Sequence, residues 1–192
     1  MNPVLQAIHD RRSIRRFKSQ PVDRQQLEQV VEAGRQAPTG GNTRTTRFVV
    51  IQNPQILERI QETACDAFAQ MEADENTYKS LRHSIQASKK GGYRFLYEAP
   101  VLILTTNLRN YGNAYSDCAC ALENMMLAAH SLGLGSCWNN QLRWLNQCEP
   151  VCKMLEEYGI PPEEMVCGGL VVGVPDQQPP IPSQEGCHVL WL

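Results

Sequence analysis

Apolar and polar positions along this chain follow two periods. Val4, Leu5 and Ile8 share one face of a short helix opened by Asn2-Pro3, with the proline in a first-turn position that needs no N–H. After Pro21, Asp23 and Gln26 stand as a capping box before Leu27, Val30, Val31 and Gly34, which recur at the helical period. That helix ends in the turn-rich run Ala37-Pro38-Thr39-Gly40-Gly41-Asn42. Residues 48–51 read as a buried strand. Asn53-Pro54 starts a helix carried by Ile56, Leu57, Ile60, Ala64, Ala67 and Phe68. Residues 74–98 are polar and mixed, and read as a partly helical, mobile segment. The unbroken apolar run at 101–106 suits a sheet interior. A long small-residue helix is expected over 113–132, a glycine turn into an extended stretch at 133–138, and a helix over 145–158 capped by Gly159. A last strand follows at 165–173. Four prolines then predict an extended arm over 174–192 that ends in the apolar run Val189-Leu190-Trp191-Leu192. Such an end wants a surface to cover it, on another subunit or on its own domain. Strands and helices interleave without linker or repeat, which predicts a single domain over 1–192, α/β or α+β, with one sheet.

Composition adds exclusions. The 192 residues are 42% hydrophobic and 20% charged, with a formal net charge of -2, so no global field favours nucleic acid or an anionic membrane. No apolar run approaches the roughly 20 residues that span a bilayer, and no long apolar segment marks a secretory leader; the expected location is cytoplasmic. The eight cysteines (65, 118, 120, 137, 148, 152, 167 and 187) fit neither zinc nor iron–sulfur spacing and read as small apolar core residues in a reducing compartment. His9, His83, His130 and His188 show no ligand spacing, so no metal is expected.

The candidate chemistry lies in Arg11-Arg12-Ser13-Ile14-Arg15. If this stretch is extended, Arg11, Ser13 and Arg15 share one face, and Arg12, Ile14 and Arg16 the other. The first face would present two guanidinium forks and a hydroxyl to a phosphate, while Ile14 anchors the segment to the core. The competing reading is a solvated basic stretch. The chain has no Walker A loop, no G-x-G-x-x-G after a strand and no G-x-S-x-G elbow.

Three separated segments, Arg11-Arg12-Ser13-Ile14-Arg15, Ala37-Pro38-Thr39-Gly40-Gly41-Asn42 and Gly133-Leu134-Gly135-Ser136-Cys137-Trp138, in this order and spacing resemble the FMN-dependent nitroreductase family. The resemblance covers nearly the whole chain. It implies an α+β fold with a central mixed sheet flanked by helices, and a homodimer that exchanges its C-terminal arms. It implies FMN as cofactor, NAD(P)H as electron donor and an electron-poor acceptor (a nitroaromatic, quinone or enone) reduced in a ping-pong cycle. No side chain need act as acid or base, because the flavin N5 carries the chemistry. By the same resemblance Arg11, Arg12, Ser13 and Arg15 hold the phosphate and ribityl chain. Asn42 meets the polar edge of the ring across the dimer interface, lined by Pro38, Thr39 and Gly40, and Ser136, Trp138, Asn139 and Asn140 lie beside the flavin. A flavin-storing or flavin-sensing protein with little NAD(P)H turnover is the alternative on the same fold; a thiol-redox or metal protein built on the cysteines is the alternative off it.

Two departures from the family pattern matter. Asn42 is followed by Thr43-Arg44-Thr45-Thr46-Arg47 where many members have Gln-Pro-Trp, which changes the pocket wall. No Lys or Arg follows Lys153, so the basic residue that usually clamps the phosphate after the last strand is missing. The grip then rests on Arg11 and Arg15, with Arg12, Arg44 or Arg47 as candidate helpers, and FMN retention should be weaker than in a typical member.

Overall fold

In the computed structural model, which describes residues 2–183 and 186–192, four strands form one sheet in the order β1-β2-β4-β3. The strands are β1 (Arg47–Ile51), β2 (Val101–Leu108), β3 (Gly135–Asn139) and β4 (Glu164–Gly173). All three strand pairings are antiparallel. Parallel pairing is confined, among the described residues, to a single bridge between Ser13 and Ser136 beside β3. Six helices surround the sheet: α1 (Pro3–Asp10), α2 (Arg24–Arg35), α3 (Pro54–Ala69), α4 (Lys79–Lys90), α5 (Ala114–Ser131) and α6 (Glu149–Glu157). The α+β class expected from the sequence is the class observed.

The pleat of β2 sorts the layers. Val101 and Ile103 face a core shared with Leu27 and Val30 of α2 and Leu122 and Met125 of α5. Leu102 and Leu104 face the opposite core, with Phe68 of α3, Ile85 of α4 and Met154 of α6. Helix α5 is therefore packed against one face of the sheet, and its C-terminal end leads directly into β3.

Capping explains several boundaries. The Asn2 side chain accepts from the N–H groups of Val4 and Leu5, and Asn53 does the same for Gln55 and Ile56. The expected capping box at Asp23 and Gln26 does not form. Asp23 occupies the cap position without a side-chain bond, and the Gln26 amide donates to the Leu132 carbonyl at the end of α5.

Four further expectations are corrected. Residues 48–51 are strand but not buried: β1 lies at the sheet edge and only Ile51 is buried. Residues 74–98 are partly helical as expected, through α4, but they are packed, with Ile85, Phe95 and Leu96 inside the core. The single helix expected over 145–158 is a 3₁₀ turn (Leu142–Leu145) followed by α6. The break comes from Asn146, whose amide accepts from the Val166 N–H at 2.9 Å and donates to the Val166 carbonyl at 2.8 Å, so it pairs with β4 like a missing strand residue. Finally, the cysteines are not uniformly core: Cys118, Cys137 and Cys167 are buried, but Cys120 and Cys187 are exposed.

Asn146→Ala should cost about 2–3 kcal/mol, because both polar groups of Val166 lose their partner within the fold. Urea titration monitored by circular dichroism measures this; a midpoint unchanged from wild type would refute the role.

Beyond Gly173 the described residues form no helix or strand. It first runs antiparallel to the 16–18 segment, with Lys18 N donating to Val174 O and Asp176 N to Arg16 O, and a bridge between Phe17 and Pro175. Ile181 and residues 189–192 then stand exposed. Gln184 and Glu185, within the expected arm, lie outside the described residues. The apolar face of α1 is exposed as well: Val4, Leu5 and Ile8 are all more than half accessible, at 63%, 54% and 51%.

Candidate functional site

The chain leaves α1 at Arg11 and becomes extended. Ser13 bridges Ser136, and the Ile14 N–H donates to the Ser136 carbonyl at 2.8 Å. Ile14 is buried as expected. Arg11, Ser13 and Arg15 lie near the Cys137 thiol of β3, while Arg12 and Ile14 line a groove together with Arg11. Burial pushes that thiol up, while Arg15, Ser13 and Arg11 pull against the shift. Tyr97 joins them. Burial and the neighbouring Cys137 sulfur push its phenol up, and Arg15 pulls it down.

The arginines differ in what they already hold. Arg12 donates to the carbonyls of His9 and Arg11 at 2.7 and 2.6 Å. Arg16 donates to the Asp176 carbonyl at 2.8 Å and lies 3.5 Å from its carboxylate. Arg44 donates to Asn42 and Arg47 binds the Glu164 carboxylate through two nitrogens. Arg11 is different. Its side chain is 25% exposed, its Nε is buried without a hydrogen-bond partner, and Glu123 stands 3.7 Å away. A buried guanidinium N–H without an acceptor is costly, so this group is suited to an incoming anion.

A groove of about 410 Å³ opens beside Arg11. Its wall includes Arg12, Ser136, Pro175, Gln177 and Gln178. The residues that follow the last strand thus reach the arginine segment, and those at the groove include the neutral Gln177 and Gln178, in line with the missing basic residue. Ser13 and Arg15 lie outside this groove, on the Cys137 side, and Arg11 touches both regions.

Gly133, at φ 75°, turns the chain from α5 into β3, a conformation other residues adopt with strain. Along β3 the Trp138 indole N–H donates to Asn140 Oδ1 at 2.8 Å. The Asn139 side chain is buried and fully engaged, donating to the Phe95 carbonyl at 2.8 Å and accepting from the Gln141 N–H at 3.3 Å. It holds the 93–98 segment against β3. Trp138 and Asn140 remain partly exposed.

The 38–42 loop stands apart. No hydrogen bond or ion pair among the described residues joins it to residues 11–15. Thr39 Oγ1 accepts from the Arg44 N–H at 3.1 Å, and the Asn42 side chain is exposed to solvent. At its back the Gly40 N–H donates to Asp117 Oδ1 at 3.0 Å, and the Tyr111 hydroxyl lies 2.9 Å from both the Gly40 carbonyl and Asp117 Oδ2. Asp117, Tyr111, Tyr97, Glu123, Gln177 and Gln178 carry no motif, so sequence reading missed them; their partners are set by the fold.

A sequence model of the nitroreductase family matches residues 8–174. The chain belongs to the nitroreductase family. A nitroreductase of Bacteroides fragilis solved with bound FMN superposes with a TM-score of 0.88 at 32% identity, covering 100% of both chains. An NAD(P)H-dependent FMN reductase of Bacillus subtilis is 26% identical over 98% of this chain and 74% of its own. A nitrobenzene nitroreductase of Ectopseudomonas oleovorans is 28% identical over 90% of this chain and 87% of its own. The family match begins at the end of α1 and runs to the end of β4, so it contains every segment of the site except the residues that follow Val174. In this nitroreductase-family chain no described helix is long and apolar enough to cross a membrane.

Proposed function

We propose that this protein is an FMN-dependent oxidoreductase that takes hydride from NAD(P)H and reduces an electron-poor acceptor, a nitroaromatic, quinone or enone, in a ping-pong cycle. The observation that carries the reading is the buried Nε of Arg11, which makes no hydrogen bond and faces Glu123 at 3.7 Å, beside a groove lined by Ser136 and the residues following β4. An FMN phosphate is the anion that fits it. Arg11 would hold the phosphate, with Ser13 and Arg15 toward the ribityl chain and Trp138 and Asn140 beside the ring. Bound FMN supplies the hydride relay between donor and acceptor. The protein binds, orients and excludes water, and no proton need move on a side chain.

The exposed apolar face of α1 and the exposed 189–192 run support a homodimer. The separation of the 38–42 loop from the arginine segment supports it too. In a dimer Asn42, presented to solvent, would serve the partner subunit's flavin, and the 174–192 arm would cover apolar surface that one chain leaves open.

Anaerobic stopped-flow mixing of FMN-reconstituted protein with NADH and with NADPH tests the reading. Flavin absorbance should bleach with at least one donor and return when the quinone menadione is added. Bound flavin that bleaches with neither would overturn the activity and favour flavin storage or sensing.

A further inference from the structure

The 38–42 loop is held in a costly shape. Gly41 has φ 60°, and two non-glycine residues, Asn42 at φ 55° and Arg44 at φ 53°, also sit in the left-handed region. Asparagine tolerates this conformation, and arginine adopts it only with strain. Such a loop keeps its shape only if the surroundings over-determine it.

What over-determines it is a buried carboxylate. Asp117 lies in the first turn of α5, and its side chain is nearly inaccessible, at 5%. No Lys, Arg or His lies within ion-pair distance of it among the described residues. Its Oδ1 accepts from the Gly40 N–H, its Oδ2 faces the Tyr111 hydroxyl, and that hydroxyl also reaches the Gly40 carbonyl. Both polar groups of Gly40 are thereby tied to one acid and one phenol, and Thr43 Oγ1 adds a contact to the same phenol at 3.2 Å. The fit is close. A Cβ added to Gly40 would stand 2.2 Å from Asn113 Nδ2 and 2.8 Å from the Tyr111 hydroxyl. The buried Asp117 side chain finds its hydrogen bonds in the Gly40 N–H and the Tyr111 hydroxyl, so the loop it anchors also satisfies it.

We propose that Asp117, acting with Tyr111, is a positioning residue for Asn42: it locks the Gly40 peptide so that the strained turn presents the Asn42 amide outward to the flavin ring. The inference rests on the reading above that Asn42 meets flavin. Asp117 touches no ligand itself and acts entirely through the loop.

The test is a double-mutant cycle on full-length protein, reading the FMN dissociation constant by flavin fluorescence quenching. Asn42→Ala and Asp117→Ala should each weaken FMN about tenfold, and the double variant should be no weaker than Asn42→Ala alone. Asp117→Asn should recover most of the affinity. Its Oδ1 can still accept from Gly40, and its Nδ2 can donate to a Tyr111 hydroxyl turned toward the Gly40 carbonyl. Tyr111→Phe keeps the acid and should lose about threefold, again only when Asn42 is present; it carries the test if Asp117→Ala does not fold. Losses that are equal with Asn42 intact and in the Asn42→Ala background would overturn the inference while leaving the flavin site intact. An unchanged affinity in Asn42→Ala would instead overturn the parent assignment of Asn42, and the inference with it.

Discussion

Arg11→Ala is expected to weaken FMN binding by about 10- to 100-fold while leaving the fold in place. A hydrogen bond to a charged group contributes about 1.5–3 kcal/mol, and each 1.4 kcal/mol is tenfold in affinity. The Arg11 Nε is buried without a hydrogen bond, so only its long contact to Glu123 competes when phosphate arrives. The fold should tolerate the change. The Arg11 side chain is engaged, among the described residues, by Glu123 at 3.7 Å, a half-exposed pair of the kind that contributes about 0–1 kcal/mol. The backbone N–H of Arg11 still donates to Ala7 in the variant. Titration with FMN and with riboflavin separates phosphate recognition from general damage: the loss should fall on FMN and hardly on riboflavin. Equal loss for both flavins would show that Arg11 does not hold the phosphate. Arg11→Lys is expected to recover little, since an ammonium cannot place a donor where Nε lies. The neutral Gln177 and Gln178 bear on the same measurement. With no second cation after β4, wild type should release FMN on extensive dialysis.

The arginine segment shows what a sequence can disclose about a site. Its alternation has a period of two, and a period is legible without knowing any partner. The burial of Ile14 between less buried neighbours follows from that period, whereas the groove that Arg11 shares with Arg12 does not. The helix starts at Asn2-Pro3 and Asn53-Pro54 were legible for a similar reason, because the cap and its N–H groups lie within three residues of each other. What failed was long-range. An apolar run such as Phe48-Val49-Val50 looks the same on an edge strand as on a central one, and only the sheet order separates them. Asn146 and Val166 are twenty residues apart, and Gly40 and Asp117 seventy-seven, so neither bond leaves a local pattern. Gln26 is a capping residue by type, but its side-chain amide is committed to the Leu132 carbonyl, 106 residues away. Arg12, Arg44 and Arg47 were indistinguishable from Arg11 as residue types. They differ in what they already bind: Arg12 holds backbone carbonyls, Arg44 the Asn42 side chain and Arg47 the Glu164 carboxylate.

Removing residues 187–192 is expected to raise the dimer dissociation constant about a thousandfold and, through it, to abolish FMN binding at micromolar protein. The deleted run exposes Val189, Leu190, Trp191 and Leu192 at 73% or more in the single chain. Burying each such side chain contributes about 1.5–3 kcal/mol, and ordering the backbone that carries them costs about 1–2 kcal/mol per residue. The difference is of order 2 kcal/mol per arm, and a dimer has two arms, which together correspond to about three decades in the dissociation constant. The root of the arm would survive the deletion, because Val174 and Asp176 are tied to Lys18 and Arg16 within the same chain. The loss is therefore expected to fall on association rather than on the sheet. Flavin binding should follow, since Asn42 lies away from the arginine segment of its own chain and would act on the partner subunit's site. Sedimentation velocity over a concentration series, with FMN titrations at the same concentrations, measures both quantities. A truncated protein that dimerises as tightly as wild type would refute the role of the arm. One that dissociates yet keeps its FMN affinity would show that a single chain completes the site, with Asn42 playing no part across the interface.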